Sequence, residues 1–104
     1  MVLLLLALLI GYSPAAGAAE SVAAGRDIAE RLCSRCHAVA GPGPSPVKEA
    51  PAFSGIGRRM KIDDLAEALA EGILTGHGPV EMPEIVLEPE EIESLLGYMH
   101  SIQE

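Results

Sequence analysis

Cys33, Ser34, Arg35, Cys36 and His37 form a Cys-x-x-Cys-His run. It joins two thiols, which can make covalent links, to an imidazole, which can ligate a metal. Two intervening residues let one turn of backbone present both sulfurs to the same edge of a flat macrocycle. The next residue then falls beneath the macrocycle's centre. This spacing is the attachment signal of a c-type haem, in which each thiol adds to one vinyl group and the histidine supplies an axial nitrogen to iron. Cys33 and Cys36 are therefore the expected thioether residues and His37 the expected first iron ligand. A thiol–disulfide oxidoreductase would also use two cysteines at this spacing. It calls for a thioredoxin-like strand pattern around them, which the sequence lacks. No catalytic acid, base or nucleophile stands out elsewhere, so the chain reads as a non-enzyme.

The iron's other axial position has several claimants. Apart from the first residue the methionines are Met60, Met82 and Met99, and the other histidines are His77 and His100. Met99 falls on the apolar face of the last helix, where core packing explains it. Met82 lies in the Gly/Pro-rich stretch Thr75–Pro83 and is followed by Pro83, which stiffens the loop. A loop methionine can reach over a flat cofactor, and Met/His ligation raises a haem potential. Met82 is the leading candidate, with Met60 second. His77, in the same loop, and His100, next to Met99, are the bis-histidine alternatives, which would lower the potential.

Length and composition limit what can surround such a group. The chain has 104 residues, enough for one small domain. Val2 to Ile10 is an unbroken apolar run, followed by Pro14 and small residues through Ala19. That describes a secretory signal peptide at residues 1–19, cleaved after Ala18 or Ala19, with an uncleaved N-terminal anchor as the alternative. The run is shorter than the roughly 20 apolar residues a bilayer span needs. No membrane span is expected after cleavage. The remaining domain, 20–104, contains Phe53 and Tyr98 but no Trp. Small domains usually need a staple, and a buried haem would supply the missing apolar bulk.

The formal net charge is −8, and residues 1–19 carry no charged side chain. Such acidity excludes nucleic acid, which requires clustered Lys and Arg. It predicts redox partners with basic docking surfaces, reached by electrostatic steering. A monomer, or a weak complex with such a partner, is expected.

The elements that must position these residues are helical. Ile28, Leu32 and Cys36 recur at helical spacing, which predicts a helix from about Val22 or Ala24 into the Cys-x-x-Cys-His run. Gly25 inside it marks a close approach of another helix. Gly41–Pro46, with three prolines and two glycines, is a surface loop. Phe53 and Ile56 are expected to be buried, and Arg58 or Arg59 to meet a haem propionate through a guanidinium fork. A second helix is predicted from about Asp63, as its cap, to Ile73. The last starts at Pro89 and carries Ile92, Leu95, Leu96, Met99 and Ile102 on one face. Strand signals are absent, and the predicted fold is all-α: three to four short helices with long loops wrapped around one haem.

In this order the motifs resemble a small class I c-type cytochrome of the bacterial periplasm. The resemblance rests on the helix ending in Cys33–His37, the middle loop Ala50-Pro51-Ala52-Phe53, Met82-Pro83, and the last helix with Leu95-Leu96-Gly97-Tyr98-Met99. It implies the cytochrome c fold, one covalent haem c, His37/Met82 ligation and periplasmic one-electron transfer. It also implies that the Pro51 carbonyl bonds the second ring nitrogen of His37, and that Gly25 and Tyr98 meet at a helix crossing. Ala29 departs from the family, where a bulky aromatic is common. The alternative functions are a haem subunit dedicated to a dehydrogenase or oxidase, and a gas sensor.

Overall fold

Ala, Glu and Arg dominate residues 15–31, and these are among the strongest helix formers. In the computed structural model, which describes residues 11, 14–72, 76–77 and 80–104, they form α1, Pro14–Leu32. The helix starts earlier than its apolar periodicity predicted. Pro14 fits a first helical position, and periodicity sets in only where α1 meets the rest of the domain. The run Val2–Ile10 lies outside the described residues.

The helix is succeeded by one further turn that carries the Cys-x-x-Cys-His run. The Cys33 amide donates to the Ala29 carbonyl at 3.0 Å, and the His37 amide to the Cys33 carbonyl at 3.0 Å. The 38–52 stretch is irregular and stitched to this turn. Val47 N–H donates to the Cys36 carbonyl at 3.1 Å and Phe53 N–H to the Ala38 carbonyl at 2.9 Å. The Ala38 amide donates to the Ser45 hydroxyl at 3.0 Å.

Two 3₁₀ helices follow, Phe53–Arg58 and Ile62–Asp64. Phe53 and Ile56 are buried, as their positions predicted. Helix α2 covers Leu65–Glu71, shorter than the sequence suggested. Asp63 does not cap it: its carboxylate lies 2.7 Å from the His100 ring. Gly72 ends the helix in the left-handed region at φ 70°, a conformation that favours glycine at a C-terminus. The predicted last residue, Ile73, lies outside the described residues. Gly76–His77 (β1) and Val80–Glu81 (β2) pair as a two-residue antiparallel ladder, a feature the sequence did not signal. The fold is otherwise helix and loop, and the domain is all-α.

Helix α3, Pro89–Ser101, starts as predicted, with Glu88 as N-cap and Pro89 in the first turn. Glu88 N–H donates to the Glu91 carboxylate at 3.1 Å, so a reciprocal acid spacing missed in the sequence closes the end. Ile92, Leu95, Leu96, Tyr98 and Met99 are buried, and Ile102 packs at the edge. α1 and α3 cross where Gly25 lies against Ser94 and Tyr98: a β-carbon built on Gly25 would stand 2.8 Å from the Tyr98 Cβ and inside contact of the Ser94 carbonyl. Ala29 is fully buried at this crossing. A small residue there lets the two backbones approach where an aromatic would hold them apart. The Tyr98 hydroxyl donates to the Val39 carbonyl at 2.6 Å and ties α3 to the loop after His37. Among the described residues, no helix is long and apolar enough to cross a membrane.

Candidate haem site

The end of α1, the Cys-x-x-Cys-His turn, the Phe53–Arg58 helix, α2, α3 and the 82–87 segment enclose a cavity of about 960 Å³. That lies at the upper end of the range for cofactor sites. Its walls are mostly apolar, with Ile28, Phe53, Ile56, Leu69 and Leu95 among them. Cys33, Cys36, His37 and Met82 all line it. Residues far apart in sequence, from a helix end and from a loop, thus converge on one space.

His37 is buried, and two neighbours orient it. Its Nδ1 lies 2.7 Å from the Pro51 carbonyl oxygen. A carbonyl can only accept, so Nδ1 carries a proton, and of the two ring nitrogens Nε2 is the one that can ligate a metal when the ring is neutral. The Phe53 ring packs on the imidazole with centroids 5.1 Å apart and planes tilted by 49°. Phe53 is held at both backbone groups, through Ala38 on its N–H side and through the Gln103 amide, which donates to its carbonyl at 2.7 Å. Gln103 also donates to the Met99 carbonyl at 2.8 Å and accepts from Gly57 N–H at 2.7 Å. This C-terminal clasp fixes the ring beside His37. Nothing in the local sequence pattern signalled Gln103.

The competing ligands separate. Met99 is 2 % exposed, so the cavity meets it as part of the packed core. Met60 is 40 % exposed at the cavity mouth. Met82 lines the cavity in a half-buried position. His100 is engaged with Asp63 and lines a separate depression together with Arg58, Met60 and Lys61. His77 falls in β1, and its side chain lies outside the described residues. Arg59 reaches the haem-sized cavity and Arg58 does not.

The residues fit a covalently held macrocycle. The space is large and apolar, both thiols open onto it, and the imidazole is pre-oriented with its donor nitrogen fixed. Among the described residues no group of three or more His, Cys, Asp or Glu converges to form a metal cage without a macrocycle. Burial pushes the Cys33 thiol up to about 11. A disulfide oxidoreductase needs the reverse, a depressed attacking thiol. In the haem-free chain Cys33 should accordingly carry about 100-fold less thiolate than an ordinary thiol of pKa 9.0. Iodoacetamide at pH 8 should therefore label it far more slowly in the folded chain than after unfolding in guanidinium, read by peptide mass spectrometry. Equal labelling would refute the burial.

The model of one protein family, described as Cytochrome c, matches residues 22–103. The match runs from α1 through the thiol–imidazole motif and the cavity to Gln103. No curated protein and no solved structure gives a significant match to the chain. Fold, cavity and motif order agree with the family match, and the chain belongs to the cytochrome c family, which implies a covalently attached haem iron and electron transfer.

Proposed function

We propose that the chain is an exported one-electron carrier of the periplasm. In this reading residues 1–19 are a cleaved signal, and Cys33 and Cys36 hold haem c by two thioether bonds. His37 and Met82 are the axial ligands. The observation that carries it is the convergence of those four side chains on one apolar cavity, with the His37 ring already oriented by Pro51. α1 is continuous through residue 19, so cleavage there would leave the helix from Glu20 onward.

The haem iron supplies one-electron redox chemistry when bound. The chain's residues do the rest. His37 and Met82 would fill both axial positions, leaving none for substrate, so the electron would cross by outer-sphere transfer. The Pro51 carbonyl keeps the His37 Nδ1 proton in place and raises the basicity of Nε2. Phe53, Ile56, Leu95 and Met99 exclude water from the walls and tune the potential through burial. The large cavity-facing area of a small domain makes the haem part of its core.

The test is a redox-titrated absorption spectrum of protein matured with covalent haem. The oxidised protein should show a weak red band from thioether-to-ferric-iron charge transfer. Met82→Ala should abolish it and lower the potential. Survival of the band in Met82→Ala would transfer the assignment to Met60.

A further inference from the structure

The segment 51–57 touches the His37 ring twice. The Pro51 carbonyl oxygen stands 2.7 Å from Nδ1, and the Phe53 ring packs with its centroid 5.1 Å from that of the imidazole. Little that is local holds this segment. Its 3₁₀ helix begins after Ala52, which makes no side-chain cap, and 3₁₀ hydrogen bonds have poor geometry. Phe53 N–H donates to the Ala38 carbonyl, the residue after His37, so that bond ties the segment back to the group it orients.

The remaining ties come from just past α3. The Gln103 Nε2 donates to the Phe53 carbonyl at 2.7 Å and to the Met99 carbonyl at 2.8 Å, and its Oε1 accepts from Gly57 N–H at 2.7 Å. Glu104 N–H donates to the Ser54 carbonyl at 3.0 Å. Both donor hydrogens of the Gln103 amide and its oxygen are thus engaged. Gly57 leaves the room for this: a β-carbon built there would stand 2.7 Å from the Gln103 Oε1. Gln103 itself does not line the large cavity, so whatever it does to the iron site it does through 51–57.

We propose that Gln103 is a positioning residue for the axial ligand: by holding the Phe53 carbonyl it fixes the Pro51 carbonyl against His37 and so sets the reduction potential. The proposal rests on reading His37 as an axial ligand. A hydrogen bond weakens steeply as its angle and length depart from the optimum. A firm bond at Nδ1 makes Nε2 the better electron donor, which favours ferric iron. Loosening the clasp removes that donation and raises the potential. Fraying that merely admitted water would lower it, because water stabilises the more highly charged ferric state. The sign therefore separates positioning from a structural role.

Two haem-loaded variants reach the same bonds by different routes. Gln103→Met keeps the length of the side chain and removes its three bonds. Gly57→Ala leaves Gln103 in the chain, but the added methyl pushes its amide away, and the flexible end of a side chain yields without moving backbone. In each, the His37 Nδ1 proton of the ferrous protein should exchange with solvent at least about tenfold faster by NMR. The buried Leu95 and Leu96 amides of α3 should keep their rates, and the potential should rise. The double variant should match the single ones within about twofold, because both act on one network.

A potential that falls or stays in either single variant would overturn the proposal. So would unchanged exchange of the ring proton, equal acceleration of the Leu95 and Leu96 amides, or a double variant showing the sum of the two effects. The ligand reading is tested separately in the unaltered ferrous protein, where the ring-carbon protons of a haem-bound His37 move far upfield. Absence of those shifts would remove ligand and clasp together. With the shifts present, the variants bear on Gln103 alone.

Discussion

Gly25→Ala and Gly97→Ala should move stability in opposite directions. Both glycines sit inside helices, where alanine is intrinsically better by about 1 kcal/mol. At Gly97 a β-carbon would meet nothing within 4 Å, so the intrinsic gain should appear almost whole. At Gly25 the added atom would overlap the Ser94 carbonyl and approach the Tyr98 Cβ to 2.8 Å. The first obstacle is backbone inside α3 and cannot rotate away. Relief requires α1 and α3 to separate, which loosens Ile28 and Ala29 against Leu95 and Tyr98. Overpacking of this kind costs about 1–3 kcal/mol, and more where backbone is the obstacle. A net loss of about 2 kcal/mol is expected at Gly25 after the intrinsic gain is deducted. In a domain of this size that lowers the melting temperature by roughly 8–16 °C. Paired thermal melts of the two haem-loaded variants decide it. Two shifts of the same sign would remove the close crossing.

That crossing shows how much the sequence carried. A glycine inside an otherwise good helical stretch has no local reason to be there, so its non-local reason, a neighbouring backbone, could be anticipated. The apolar spacing from Ile92 to Met99 likewise records which face of α3 is covered. The Cys-x-x-Cys-His run is legible because chemistry fixes its spacing, and the folded chain brings the loop residue Met82 to the cavity that this run lines. What stayed hidden has no period. Gln103 reaches Phe53 and Gly57 across the fold, and Asp63 turns to His100 rather than to the helix it precedes. Both depend on where α3 ends relative to the 3₁₀ segment. Arg58 and Arg59 could not be told apart because neighbouring residues at a helix end diverge, and only the folded chain shows that Arg59 meets the large cavity.

The other large effect is expected at His37. In His37→Ala protein the haem, still tethered through Cys33 and Cys36, should lose its low-spin spectrum, and the reduced form should bind carbon monoxide. Removing the ring leaves a slot bounded by the Phe53 face and the Pro51 carbonyl. Free imidazole has the shape to fill it, with one nitrogen toward the iron and its N–H toward that carbonyl, and should restore the low-spin spectrum. 1-Methylimidazole offers the same ligating nitrogen but no N–H. It would leave the Pro51 oxygen without the bond that His37 makes at 2.7 Å. A neutral hydrogen bond is worth about 0.5–1.5 kcal/mol net, and an orphaned buried acceptor costs about 1–3 kcal/mol. The methylated base should therefore bind about tenfold more weakly or worse, since roughly 1.4 kcal/mol is a factor of ten. 4-Methylimidazole, equal in bulk but retaining N–H, separates the hydrogen bond from steric fit. Equal binding of the two methylated bases would mean that Pro51 does not orient the ligand. A gap between them would measure, outside the covalent chain, the bond by which the Pro51 carbonyl orients an imidazole at this position.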